Sequence, residues 1–152
     1  MPALTGLGAP HWAPNARGAI YGITRDTGPA DFVRAALESV AYQTNDLFTA
    51  IAGDGIPVSV VRVDGGMTEN DWLMQFLADI IDLPVDRPMV RETTALGAAM
   101  LALMQSDASI TLDELANRWQ QDTCFVPTMD AEQRSGLVAG WNLAMRRTLA
   151  EG

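Results

Sequence analysis

The fold is decided by residues 58–75, VSVVRVDGGMTENDWLMQ, which have the pattern of a strand, a glycine turn and a capped helix. Four valines form the strand pattern, and the pair Gly65 and Gly66 ends it abruptly. Thr68 has an acidic residue three positions later, a capping-box variant that predicts a helix from there to about Ile81. Backbone N–H groups are free at such a turn, and a ligand can approach closely. A candidate ligand site and a plain tight turn both fit this pattern.

Composition and charge restrict what this turn could serve. The 152 residues are one domain's length, and the 48% hydrophobic content is enough for a core. A net charge of −9 argues against binding along nucleic acid or an anionic membrane, and no apolar run reaches membrane-spanning length. Cys124 is the single cysteine, which excludes a disulfide framework and suits a reducing cytoplasm. We expect Cys124 to be buried beside Phe125.

Further elements are predicted on both sides of the turn. They are a strand over 18–24, a helix over 30–52, an extended segment over 84–88, a helix over 95–105, a helix capped by Thr111 that ends at 121, a strand over 122–126 and a last helix over 130–149. Gly97 weakens its helix by about 1 kcal/mol relative to Ala, so we expect a neighbouring element to pack closely there. The alternation of strands and helices predicts an open α/β sheet.

The residues themselves do not indicate a catalytic centre. The glycine turn matches neither the Walker A loop nor the dinucleotide fingerprint. Asp64 could approach a metal or a base, although such a residue more often caps a turn. Asn70 could bind a ligand or point to solvent, and the sequence leaves both open. The only histidine, His11, is interpreted as structural or exposed, Glu38 as a helix-packing hydrogen bond, and the four tryptophans as core or interface residues.

Several blocks, in order along the chain, resemble the FGGY carbohydrate kinases. These blocks are residues 5–10 (TGLGAP), Trp12, 16–18 (ARG), 62–66 (RVDGG), Asn70, 73–75 (LMQ), 87–88 (RP), Glu92 and 94–99 (TALGAA). The run 18–38 also fits the family's second sequence signature. The resemblance covers most of residues 3–147, and the GLGAP form is typical of the glycerol kinases within the family.

The resemblance implies an actin-like, ribonuclease-H-like ATPase domain with a mixed sheet and flanking helices. Such kinases hold ATP and Mg²⁺ in a cleft between two domains and transfer the γ-phosphoryl group to a polyol, here glycerol. In the family, the Gly-Gly turn and the following Asn lie at the nucleotide. The match implies that Gly66 and Asn70 bind the nucleotide, with Gly65 as a neighbour. It implies no metal ligand and no catalytic residue in this chain, and a homo-oligomeric enzyme.

The resemblance also implies that residues 1–152 are a single, incomplete C-terminal domain. The family's catalytic Asp base, its phosphate hairpins and its glycerol contacts have no match in this sequence. We therefore expect the chain alone to be inactive, and its Leu4, Leu7 and Trp12 to lack packing partners. Another FGGY sugar kinase, such as a xylulose kinase, and a non-catalytic actin-like nucleotide-binding module are the alternatives.

Overall fold

A computed structural model describes residues 1–107 and 109–150 of the chain. In chain order its elements are α1 (Pro29–Gly53), β1 (Val61–Arg62), a 3₁₀ turn (Gly66–Glu69), α2 (Asp71–Ile81), β2 (Val85–Pro88), α3 (Thr93–Ser106), α4 (Leu112–Ala116), β3 (Gln121–Phe125) and α5 (Ala131–Ala150). Within these ranges, no helix combines the length and the apolar character that crossing a bilayer requires.

The three strands form one mixed sheet in the order β1-β2-β3. Val61 of β1 lies opposite Val85 of β2 in a parallel pair, and α2 makes the crossover between them. Val85 also lies opposite Phe125, because β3 runs antiparallel to β2. Both Val85 and Phe125 are buried. The sheet is therefore mixed, as the resemblance implies.

The core lies where α1, α2 and α5 meet. Most of α2 is buried, because its own apolar residues occupy nearly every face of the helix. Leu73 and Ile80 are almost fully enclosed. Tyr42 of α1 packs edge-on to Phe76 of α2, with the ring centroids 5.6 Å apart, and stacks on Trp141 of α5 at 5.3 Å. Burial, with a contribution from the carboxylate of Glu38, raises the pKa of Tyr42 to about 12. One core therefore joins elements from both halves of the chain.

The predicted helix start at Thr68 is wrong, because a 3₁₀ turn continues to Glu69 and α2 begins only at Asp71. Thr68 lies inside the 3₁₀ turn, and its hydroxyl donates a hydrogen bond to the Gly65 carbonyl at 2.7 Å. The N-cap of α2 is Asn70, whose Oδ1 accepts a hydrogen bond from the Leu73 N–H at 3.1 Å. An amide oxygen at this position satisfies one of the free N–H groups of the first helical turn.

Two other predicted elements differ from the structure. The segment 18–24 forms no strand, since among the described residues its backbone pairs with another segment only through the two bonds between Ala19 and Met1. A strand needs a neighbour along its length, and this segment has none there. The helix after Thr111 ends at Ala116 instead of 121, because Gln121 already belongs to β3. The predicted helices over 30–52, 95–105 and 130–149, and the strand at 122–126, are confirmed within about two residues.

Helix α3 buries none of its residues against the described part of the chain. A Cβ added at Gly97 would meet no atom within 4 Å, so the predicted close packing at this glycine is wrong there. Leu101 on the same helix is 64% exposed. In the opening loop, Leu4 and Trp12 are exposed as predicted.

The burial of two residues was predicted wrongly. Leu7 is buried, because its backbone pairs with that of Ala13 and turns the side chain inward. Cys124 is exposed, since successive side chains of a strand point to opposite faces and Phe125 takes the inner one. A hydrogen bond with Asp86 on the neighbouring strand raises the pKa of the Cys124 thiol.

Candidate functional site

The two glycines of the turn differ in what they do for the backbone. Gly65 has φ 83° and ψ 173°, a conformation that is essentially restricted to glycine. Gly66 has no such conformation and begins the 3₁₀ turn. A Cβ built on Gly66 would meet no atom within 4 Å. The chain's own geometry therefore requires glycine at 65, whereas at 66 it leaves open space beside the turn.

Asn70 follows the turn with its side chain exposed. Its Oδ1 is occupied as the cap of α2, through the bond with the Leu73 N–H. Its Nδ2 makes no hydrogen bond to any described residue, and this nitrogen is a donor only. One half of the amide thus caps the helix, while the other half has no partner among the described residues.

The turn is fastened to the segment that leads into α3. The carboxylate of Asp64 accepts a hydrogen bond from the hydroxyl of Thr93. The N–H of Gly65 donates to the carbonyl of Arg91 at 3.1 Å, and the Arg91 guanidinium pairs with Glu69 at 2.8 Å. Asp64 is therefore a structural acceptor here. Over residues 1–107 and 109–150, no group of three or more His, Cys, Asp or Glu side chains is arranged to hold a metal ion.

Arg87 of β2 lies beneath the same turn and is buried. Its Nη1 donates to the Thr68 carbonyl at 2.9 Å and to Asp71 at 2.6 Å. Its Nε donates to Asp122 of β3 at 2.8 Å, and this bond lowers the pKa of Asp122 below its ordinary value. This cluster was not predicted from the sequence. The alternation of side chains along a strand could have indicated it, because position 87 lies on the same buried face as Val85.

The remaining candidate residues have structural contacts. The Nε2 of His11 lies 3.3 Å from Oδ2 of Asp46, which also accepts a hydrogen bond from the Trp141 indole at 2.8 Å. This group ties the opening loop to α1 and α5. Glu38 accepts a hydrogen bond from Arg34 at 2.6 Å within α1, rather than bridging to another helix. The structure therefore supports the structural interpretation of His11, whereas the helix-packing hydrogen bond predicted for Glu38 is wrong, because Glu38 bonds within its own helix.

A match to a protein-family model shows which family the chain belongs to. The model for the C-terminal domain of the FGGY family of carbohydrate kinases matches residues 1–106. The chain belongs to this family. The match includes the turn, Asn70, Arg87 and all of α3.

Similar FGGY kinases include curated glycerol kinases. The glycerol kinase of Sinorhizobium fredii is 55% identical over 98% of this chain, and glycerol kinase 1 of Pseudomonas aeruginosa is 52% identical over 99% of it. The chain spans only 31% of the length of either relative.

Solved FGGY kinases share the fold. The crystal structure of Plasmodium falciparum glycerol kinase with ADP superposes with a TM-score of 0.82 at 40% identity, over 97% of this chain and 30% of that one. A ligand-bound xylulose kinase from Lactobacillus acidophilus gives 0.75 at 22% identity, over 99% and 31%, which shows likeness of fold alone. The predicted actin-like, ribonuclease-H-like fold is confirmed.

Proposed function

We propose that this chain is the nucleotide-binding C-terminal part of an ATP-dependent glycerol kinase, which converts glycerol and ATP to glycerol 3-phosphate and ADP. The observation that carries the proposal is the turn over residues 65–70, with open space at Gly66 and a free amide donor on Asn70. The glycerol kinases at 52–55% identity, and the neighbour solved with ADP, support it. Because one core runs from Ala3 to Met145, we also propose that residues 1–152 are one domain.

The turn would act by holding the nucleotide in place. Without a side chain at Gly66, the adenosine part of the nucleotide can lie against the backbone, as glycine turns allow. The Nδ2 of Asn70 can donate to an acceptor on the nucleotide, while its Oδ1 remains on the helix cap. Phosphoryl transfer depends mainly on such placement and on the stabilisation of charge around the transferred group. This chain therefore supplies the nucleotide wall.

Mg²⁺ is part of the proposed reaction, in which it would accompany the nucleotide phosphates. The part of the chain that the structure describes has no group of three or more His, Cys, Asp or Glu side chains that could hold the ion by itself. Mg²⁺ in kinase sites usually keeps several waters and binds through one or two carboxylates and the substrate phosphates. We therefore assign no step of the reaction to a metal held by these residues.

The test is a substrate comparison with the full-length protein. ADP release is followed with ATP and either glycerol or xylulose as acceptor, and release without an acceptor is subtracted. We expect glycerol-dependent turnover and little with xylulose. Preference for xylulose would replace the proposal with a sugar kinase, and nucleotide binding without turnover on either would indicate a non-catalytic module.

A further inference from the structure

A buried arginine lies beneath the turn and connects it to the sheet. All three nitrogens of the Arg87 guanidinium are used: Nη1 for the turn, Nε for Asp122 and Nη2 for the Thr123 hydroxyl at 3.2 Å. The face of the Phe125 ring lies 5.2 Å from the guanidinium carbon. Arginine is rarely buried unless it is paired. Four of its five N–H groups thus have partners, which indicates that its position is fixed.

The partners of Arg87 on the turn lie on both sides of Asn70. Thr68 precedes Asn70 by two residues, and Asp71 follows it directly. One nitrogen of the guanidinium therefore holds the backbone before the candidate nucleotide residue and the side chain after it. Asp122 and Thr123 on β3 hold the opposite edge of the same planar group. Arg87 thus connects the turn to the sheet directly, and Arg91, which pairs with Glu69 and lies 3.6 Å from Asp122, makes a second link.

The pair between Arg91 and Glu69 is the more exposed of the two arginine links. The side chains of Arg91 and Glu69 are 33% and 66% exposed, whereas that of Arg87 is 9% exposed, although its partner Asp71 is 75% exposed. Exposed ion pairs contribute little, while charge-assisted bonds from a buried guanidinium are stronger and directional. Arg87, which also bonds to the Thr68 carbonyl, is therefore the stronger of the two arginine links.

We propose that Arg87 is a positioning residue for the nucleotide, which holds the turn so that Gly66 and Asn70 face the adenosine. This inference rests on the proposed function. Arg87 lies under the turn and acts through Thr68 and Asp71. A lysine at this position would keep the charge but lose the planar fork, so that it could not serve both the turn and β3.

The test compares Arg87→Lys with Arg134→Lys in the full-length protein. Arg134 pairs with Asp82 at 2.7 Å at the opposite end of α2, so this control removes an arginine fork away from the turn. We expect Arg87→Lys to raise the KM for ATP about tenfold, which corresponds to about 1.4 kcal/mol of lost ATP binding. The KM for glycerol and kcat should stay within about twofold, the pattern of lost uniform binding of ATP. The control should match the wild type.

Amide hydrogen exchange gives a second readout that does not depend on activity. The N–H groups of Thr68 and Asn70 bond to Gly65 and Met67 within the turn. We expect their exchange to accelerate in Arg87→Lys, while that of Ile80 in the core of α2 stays unchanged. If Arg87→Lys fails to fold, Asp71→Asn weakens the same connection from an exposed side chain, and we expect a smaller rise in the KM for ATP.

The remaining outcomes distinguish a positioning role of Arg87 from a general structural role and from failure of the proposed function. A folded Arg87→Lys with wild-type ATP kinetics and unchanged exchange at Thr68 and Asn70 would overturn the inference and leave the proposed function standing. Equal losses for ATP and glycerol, with faster exchange throughout α2, would show a general structural role and also overturn it. A wild-type protein that uses no ATP would overturn the proposed function, and this inference with it.

Discussion

The two glycines of the turn should respond differently to substitution, because only one of them has a backbone conformation that excludes side chains. Gly65 lies at φ 83° and ψ 173°, where a residue with a Cβ costs about 1–3 kcal/mol. Replacing glycine by alanine recovers about 0.4–1 kcal/mol by restricting the unfolded chain. The net cost of Gly65→Ala therefore lies between about 0 and 2.6 kcal/mol, with a central value of about 1.3 kcal/mol. For a domain of this size, the central value corresponds to a decrease in Tm of about 3–5 °C.

Gly66 provides the matched control at the neighbouring position. A Cβ there meets no atom within 4 Å, so Gly66→Ala should leave the Tm unchanged or slightly raised. If the open space is where the nucleotide lies, a larger side chain will obstruct the ligand instead of the fold. We therefore expect Gly66→Val to raise the KM for ATP while the protein stays folded.

Thermal unfolding followed by circular dichroism measures the first effect, and steady-state ATP kinetics of the full-length protein measures the second. Equal Tm values for Gly65→Ala and Gly66→Ala would refute the assignment of backbone strain to position 65. Wild-type ATP kinetics in a stably folded Gly66→Val would show that the nucleotide does not occupy the space beside Gly66.

Four further results are expected. The hydrogen bond from Arg87 lowers the pKa of Asp122. The contribution of the Asp122 carboxylate to stability is therefore fully present above the ordinary aspartate pKa of about 3.9, and it is lost as the pH falls through the lowered value. The Tm difference between the wild type and Asp122→Asn should shrink below about pH 4. Gly97→Ala should stabilise the 152-residue chain by about 1 kcal/mol in denaturant unfolding, and a loss of stability would reveal a hidden contact. The chain expressed alone should show no glycerol-dependent ADP release in a coupled assay, and turnover near about 10 per second would contradict this. The chain should also self-associate through exposed residues such as Leu4 and Trp12. The association should be stronger when salt limits the repulsion from its net charge of −9 to a Debye length of about 8 Å. A clean monomer by sedimentation at both low and high salt would contradict this.

The sequence predicted those features of the fold that depend on local patterns. The helices and the glycine turn were found because periodicity, capping residues and the glycine pair all act within a few positions. The candidate nucleotide residues came from the family resemblance, since Asn70 by itself was equally compatible with solvent. Its double use, with Oδ1 on the cap and Nδ2 free, became visible only with the helix start in place.

The helix start at Thr68 and the helix end after Thr111 are local boundary errors, whereas the other errors concern contacts between distant segments. Gly97 was expected to pack closely, but whether an element lies against a helix is decided by tertiary structure. The inward and outward faces of β3, which expose Cys124, depend on its register with β2. The Arg87 cluster joins residues 16 to 36 positions apart, and no local pattern connects them.

The most direct test of the account is a crystal structure of the full-length protein with ADP. We predict that the adenosine lies in van der Waals contact with the backbone of Gly66, and that Nδ2 of Asn70 donates a hydrogen bond to the nucleotide. We also predict that Arg87 remains beneath the turn without touching the ligand. ADP bound elsewhere, with the space beside Gly66 empty, would contradict the central claim that this turn is the nucleotide wall.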